Sequence, residues 1–389
     1  VKTAVLLALA ATACSGDSSS GTPRDSGTDV TAIVDGGGDG NGDGDAEASA
    51  PQSDAATPTN ILEPAMGAWW GFYGASNNAN ATIQTVEGDT GRIFDIAKFY
   101  HDFSNTGGSG VFPTTAEVAL SNGGRYLHIA WETRVYSNTD PSGMPAPQGM
   151  YDGAPTYTYT YDQINSGALD TYLTTVAGRM KAFAKPIFVD FDHEMEGAFA
   201  GNVAVYKYRI GSFGGVPPLD PTKYVNAYRH IVSLFRAQGV TNVVWVVVYA
   251  GFEPTSFDAT YAQLYPGDDV VDWIGWDPYN DAVADWIDPQ PLFSEFYTRI
   301  DGNLFQTTGS ASKPRMLGEY GCLDDPSQPT RRETWFQAIP AALMALPNLH
   351  ALQYFDSATS VDFRIESDAN ALAGFGDAGS SPWVNQTHL

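Results

Sequence analysis

Eight short, nearly unbroken apolar runs punctuate the chain beyond residue 60. They fall at residues 69–74 (WWGFYG), 93–99 (IFDIAKF), 126–132 (YLHIAWE), 186–191 (PIFVDF), 243–249 (VVWVVVY), 271–276 (VDWIGW), 315–318 (RMLG) and 349–355 (LHALQYF). Continuous apolarity, rather than alternation, marks strands buried on both faces. Between the runs the period lengthens to that of a helix. Leu169, Leu173, Val176, Met180 and Phe183 form one stripe; Val225, Tyr228, Ile231, Val232 and Phe235 form another. Asp220-Pro221 supplies a capping carboxylate and a first-turn proline to the second helix, and Gly239 closes it. Thr330 with Glu333 predicts a capping box, and Pro340 a kink in the helix that follows. Eight strands alternating with helices over residues 61–389 predict a single α/β domain, a (β/α)8 TIM barrel. The rival, an open doubly wound sheet, would carry a glycine fingerprint after its first strand, and Gly71 and Gly74 lack that spacing. Two long loops follow strand ends: residues 133–163, with Tyr157, Tyr159 and Tyr161, and residues 195–219.

The first sixty residues have a different character. Residues 1–14 contain Lys2 and an apolar run, Ala4–Ala13, too short to span a bilayer, and end at Cys14. They resemble a bacterial lipoprotein signal. That resemblance implies cleavage before Cys14, acylation of its thiol, and a secreted or cell-surface protein whose membrane contact is the lipid anchor. Simple cleavage near Ala13 is the alternative. Residues 15–60 are Gly, Ser, Asp, Thr and Pro with almost no large apolar side chain, which predicts a disordered acidic linker. Asp39–Gly44 matches the first half of a calcium loop, but the position that should be a bidentate Glu is Ala50, so a solvated linker is expected there.

Charge narrows the partners. Twenty Lys+Arg against 45 Asp+Glu give a net charge of −25. That balance excludes phosphate-neutralising contact with nucleic acid and electrostatic adhesion to anionic lipid. Two cysteines exclude a disulfide scaffold. Aromatics at 13% suit a protein that grips sugar rings. A monomer without a cofactor is expected.

Two glutamates stand where a barrel places its chemistry. Glu194 follows the fourth predicted strand, in Phe191-Asp192-His193-Glu194-Met195; Glu319 follows the seventh, in Gly318-Glu319-Tyr320-Gly321. Strand ends converge on one face of a parallel barrel, so the two carboxyls can flank one bond. A pair ~5–5.5 Å apart is what retaining glycoside hydrolysis requires, one as nucleophile and one as acid/base. The surrounding motifs resemble glycoside hydrolase family 26. They are His193-Glu194-Met195-Glu196-Gly197, Tyr228-Arg229-His230, Thr241-Asn242-Val243-Val244-Trp245, Tyr265-Pro266-Gly267-Asp268-Asp269, Val271-Asp272-Trp273-Ile274-Gly275-Trp276-Asp277-Pro278-Tyr279-Asn280, Gly318-Glu319-Tyr320-Gly321 and Asp362-Phe363-Arg364-Ile365-Glu366-Ser367. The resemblance implies Glu194 as acid/base, Glu319 as nucleophile, His193 beside the nucleophile or the sugar, and Tyr279 hydrogen-bonded to Glu319. It implies an endo-acting β-glycanase on a polysaccharide or oligosaccharide, with β-1,4-mannan the first substrate reading. After Gly197 comes Ala198-Phe199-Ala200-Gly201, without the aromatics usual in mannan-degrading members, and Asp190 and Asp192 stand where neutral or basic residues are usual. Mixed-linkage β-glucan and β-1,3-xylan are therefore alternative substrates.

Trp131, Tyr249, Trp276 and Tyr354 end or lie late in strands and are candidate sugar platforms, each with core packing as its alternative. His193 with Asp190, Asp192 and Glu194 raises a metal site, but neighbouring strand positions face opposite ways, and the two-His helix motif of zinc hydrolases is absent. No metal is expected. Cys322 reads as a buried small hydrophobe. A non-catalytic carbohydrate-binding barrel and a metal-dependent hydrolase are the competing functional classes.

Overall fold

Each of the eight apolar runs forms a strand. We label them β1 (Trp69–Gly74), β2 (Ile96–Asp102), β3 (Tyr126–Glu132), β4 (Ile187–Phe191), β5 (Val243–Tyr249), β6 (Trp273–Trp276), β7 (Arg315–Cys322) and β8 (Leu349–Asp356). The computed structural model describes residues 62–74, 79–103, 111–135, 148–151, 154–158, 161–198, 220–252, 255, 258–300, 312–358 and 361–384. The expectations for residues 1–14, the linker and most of the 195–219 loop lie outside them. All eight strands pair in parallel with their sequence neighbours, and β8 pairs with β1, so the sheet closes. A closed barrel has no edge strand to protect. Among the described residues no helix is long and apolar enough to cross a membrane.

The helical grammar holds at several points. Asp220 caps helix Pro221–Ala237 by accepting from Thr222 N at 2.9 Å, and Gly239 takes a φ of +72° just past its end. Leu169, Leu173, Val176 and Met180 are buried along the preceding helix, with Phe183 packed at its margin. The structure parts from expectation at Thr330. Its side chain makes no cap bond, because its backbone sits at ψ 1° rather than extended. The capping box is instead at Thr114–Glu117. Pro340 does more than kink a helix: Arg331–Gln337 ends before it, and Ile339–Met344 restarts with the proline in its first turn. The 133–163 loop contains a small antiparallel sheet of Arg134–Val135, Ala154–Thr158 and Gln148–Tyr151, then a short helix with Tyr161 buried in the core.

Strand alternation sorts the barrel side chains into two populations. One set packs outward against the helices: Trp70, Phe72, Ala97, Phe99, Ile129, Trp131, Val189, Phe191, Val247, Tyr249, Ile274, Trp276, Leu317, Tyr320, Leu352 and Tyr354. The other fills the barrel bottom: Trp69, Ile96, Tyr126, Phe188, Val246, Trp273, Met316 and Ala351. Above that plug the interior turns polar. Lys98 on β2, His128 on β3, Asp190 on β4 and Gln353 on β8 occupy it, all fully buried. Gly71 leaves room for Gln353, and Gly318 for Asp277 beyond β6. A β-carbon on Gly71 would lie 2.5 Å from Gln353 Cγ, and one on Gly318 would lie 2.7 Å from Asp277 Oδ1.

Candidate active site

Glu319 reaches the barrel interior through a break in the alternation of β7. Leu317 is opposite Leu352 on β8, yet Tyr320 is opposite Tyr354, so three steps on β7 match two on β8. This β-bulge lets Leu317 and Tyr320 both face the helices, while Gly318 and Glu319 share the inner side. Glu319 is fully buried. Its Oε1 accepts from Lys98 Nζ at 3.0 Å, and its Oε2 accepts from the Tyr279 hydroxyl. Burial raises the Glu319 carboxyl above its ordinary range, and the Lys98 ammonium offsets part of that rise.

Glu194 is positioned by a second irregularity. Asp192 and Glu194 both adopt left-handed backbone, φ +49° and +52°. Each such residue costs about 1–2 kcal/mol when it is not glycine. Local bonds hold the turn. Asp192 Oδ1 accepts from Thr133 N at 2.8 Å and its Oδ2 from Thr133 Oγ1 at 2.9 Å; Asp192 N donates to Trp131 O at 3.0 Å. Glu194 N donates to Val248 O at 2.9 Å. Glu196 turns back to accept from Ala250 N and, at 3.2 Å, from Gly251 N. The turn after β4 is thus stitched to β3 and β5. Because it departs from strand geometry, His193 and Glu194 need not face opposite ways.

The side chains around the two glutamates form one cluster. His193 Nε2 lies 3.9 Å from Glu319 Oε1 and its Nδ1 3.7 Å from Glu132 Oε1, with the ring edge-on to Tyr100. The charge of Glu194 acts on Asp277 and on Tyr279, the residue hydrogen-bonded to Glu319. Burial drives the Asp277 carboxyl well above its usual range; Lys98 opposes that, and Glu194 and Asp190 add to it. Tyr73 stacks on Phe355 at 5.0 Å and meets Tyr100 edge-on at 4.9 Å. Tyr279 packs on Phe363 at 5.0 Å. These rings form an aromatic wall beside the carboxyls, with Tyr73, Tyr100 and Tyr279 only half-buried.

Of the residues singled out in the sequence, Glu194, Glu319, His193 and Tyr279 come together here. Trp131, Tyr249, Trp276 and Tyr354 do not. All four lie in the outward-facing layer at no more than 1% exposure. Trp131 packs on Phe103 at 4.6 Å, Trp276 on Phe296 at 6.0 Å, Tyr249 on Tyr261 at 5.4 Å, and Tyr354 accepts from Arg332 Nη2 at 2.8 Å. Strand alternation removes them from the barrel mouth, where the rings on the inner side are Tyr73, Tyr100 and Tyr279, with Phe355 packed beneath Tyr73. Lys98, Asp277, Glu132 and Tyr73 escaped the sequence reading. Their signal was present: a lysine inside the run IAKFY, and residues in step with the inward set.

His193, Asp277 and Glu319 offer ligand atoms within 4.8 Å of one another. The donor set nevertheless suits an ammonium better than a metal ion. Lys98 Nζ is already on Glu319 Oε1 and 3.9 Å from Asp190 Oδ2, and would repel a cation there.

Comparison with known proteins agrees with this architecture. Residues 156–312 match the profile of glycosyl hydrolase family 26. Endoglucanase H of Acetivibrio thermocellus is 28% identical over 314 residues, which cover 80% of this chain; the match spans 30% of that relative's length. The family 26 domain of an endo-β-mannanase/endo-β-glucanase from Prevotella bryantii superposes with a TM-score of 0.55 at 15% identity, covering 82% of this chain and 91% of the other. A family 26 β-mannanase from Bacteroides ovatus gives 0.53 at 16% identity, covering 82% and 90%. At such identities the structural likeness speaks for the fold.

Proposed function

Because residues 156–312 match the profile of glycosyl hydrolase family 26 and Endoglucanase H is 28% identical over 314 residues, we propose that the chain is a retaining endo-β-glycanase of that family, cleaving a β-linked polysaccharide by double displacement. The observation that carries this reading is the environment of Glu319. It is buried at the barrel mouth, bonded to an ammonium through one oxygen and a phenol through the other, and the charge of Glu194 acts on that same phenol. In the first step a Glu319 oxygen forms a bond to the anomeric carbon while the glycosidic C–O bond breaks. Glu194 gives its proton to the departing oxygen. In the second step Glu194 takes a proton from water, the water oxygen bonds the anomeric carbon, and Glu319 leaves as carboxylate. His193 and the Tyr73–Tyr100–Phe355 wall line the space in which the glycone would sit.

For the substrate we favour a β-glucan, mixed-linkage glucan included, over β-1,4-mannan. The 28% identical relative from Acetivibrio thermocellus is named an endoglucanase, whereas the mannanases resemble this chain at the level of fold. Mannan remains the second reading, because solved mannanases share the barrel. A panel of mixed-linkage glucan, carboxymethyl-cellulose, mannan, galactomannan and β-1,3-xylan, with product sizing over time, separates them. Early release of mid-length oligosaccharides from mixed-linkage glucan is the expected result. Turnover of mannan alone would reverse the choice, and no turnover of any would leave a carbohydrate-binding barrel. We also read Cys14 as the lipid attachment point. Metabolic labelling with palmitate should mark the wild type and not Cys14→Ala.

A further inference from the structure

We propose that Lys98 is the positioning residue of the nucleophile, holding Glu319 ionised and oriented from inside the barrel, and that Asp190 backed by His128 and Gln353 is the counter-ion that keeps Lys98 in place. The proposal rests on the glycosidase reading above and assigns it a residue that no motif of the sequence marks.

Lysine is almost never fully buried unless paired. Lys98 is fully buried on β2, and two of its three protons have identifiable acceptors. Nζ donates to Glu319 Oε1 and to Gly318 O, both at 3.0 Å, and Asp190 Oδ2 lies 3.9 Å away. The ammonium also sits 5.3 Å from the centre of the Tyr100 ring. A lysine kept only for stability has no reason to spend two of its contacts on the bulged turn that carries the reacting carboxylate. Behind it, Asp190 Oδ2 is 3.0 Å from His128 Nε2, and His128 Nδ1 lies 2.9 Å from Gln353 Oε1. Five strands, β2, β3, β4, β7 and β8, therefore meet in one buried polar array.

The chemistry explains why two carboxylates face one ammonium. In the resting site Glu319 must be an anion to attack, although burial favours its neutral form. Lys98 opposes that tendency. When Glu319 becomes an ester its charge is consumed, and Lys98 would be left as an uncompensated buried charge. Asp190 remains to balance it. When the ester is hydrolysed, the ammonium again favours the departing carboxylate.

The charged and titratable groups facing Glu319 are Lys98 from β2, Tyr279 and Asp277 from beyond β6, His193 from beyond β4 and Tyr73 from β1, while Glu132 on β3 faces His193. Glu194 and Asp190 act through their neighbours. Removing one charge from this set moves the acid limb of kcat/KM in a direction fixed by its sign. With 2,4-dinitrophenyl β-cellobioside as probe, Lys98→Met should move the limb up by about one pH unit or more and lower kcat/KM about 100-fold. Lys98→Arg should restore most of both. Asp190→Asn removes a negative charge and should move the limb down. A lysine serving stability alone would leave both limbs in place. An unmoved limb in folded Lys98→Met, with kcat/KM within about threefold of wild type, overturns the proposal. Should Lys98→Met fail to fold, Asp190→Asn decides: a downward shift supports it, and no shift or an upward one overturns it. Failure of the glycosidase reading is seen separately. Wild-type enzyme treated with a 2-deoxy-2-fluoro-cellobiosyl fluoride would then carry no label on the peptide containing Glu319.

Discussion

Tyr279 donates its hydroxyl proton to Oε2 of Glu319 from just beyond β6, on the opposite side of the carboxyl from Lys98. The two donors leave the carboxylate little freedom to rotate. Hydrogen bonds to charged groups contribute ~1.5–3 kcal/mol. Tyr279→Phe should therefore lower kcat/KM by about 10- to 100-fold with the fold intact, measured on soluble polysaccharide.

The two glutamates should fail differently. Glu319→Ala removes the proposed nucleophile and should abolish turnover of every glycoside while leaving oligosaccharide binding, measured by calorimetry. Azide added to that variant should restore a fraction of the rate with an activated substrate and yield the inverted glycosyl azide. Glu194→Ala should spare the first step on a dinitrophenyl glycoside, whose leaving group needs no proton, and lose polysaccharide hydrolysis. Equal losses on both substrate types would reject the acid/base assignment.

Gly318 faces Asp277. A β-carbon there would lie 2.7 Å from Asp277 Oδ1 and 2.7 Å from Val248 Cγ1. Both neighbours are buried, so neither can swing away. Gly318→Ala should lower stability by about 1–3 kcal/mol, the usual scale for overpacking, and should reduce activity by displacing the adjacent Glu319. Denaturant titration beside kcat/KM tests both parts.

Asp356 ends β8 with its carboxyl buried and accepting from Ile365 N at 2.9 Å. Burial, with the Glu366 charge adding, pushes it up to about 8. An unfolded aspartate titrates near 4. Between those values the folded protein holds a proton that the unfolded chain has lost. The contribution of this group to stability is therefore complete below about pH 4 and is lost as pH rises to about 8. Asp356→Asn keeps the acceptor for Ile365 and removes the titration. Its melting temperature should exceed that of wild type at pH 8, and the gap should close toward pH 4.

The barrel was legible because a strand buried on both faces leaves a contiguous apolar run, and all eight runs became strands. The same property hid the site. When inward and outward positions are both apolar, alternation no longer tells them apart. Trp131 and Trp276 looked like sugar platforms but belong to the helix-facing layer. Counting in twos from the inward residues His128 and Asp190 would have set Trp131 aside and raised Glu132. Glu319 itself breaks that count, since the β-bulge after Leu317 is a property of strand pairing and has no local signature. The left-handed turn at Asp192 and Glu194 is likewise held by partners on β3 and β5, distant along the chain. Thr330 shows the reverse case, a capping pattern without the extended backbone that would use it.

Hydrolysis of a soluble oligosaccharide, followed by proton NMR within the first minutes, tests directly whether Glu319 and Glu194 act as a double-displacement pair. Two successive inversions return the anomeric centre to its starting configuration, so the β-anomer should appear first and the α-anomer only as mutarotation proceeds. Initial release of the α-anomer would mean that water attacks in a single step, and would remove Glu319 from the role assigned to it.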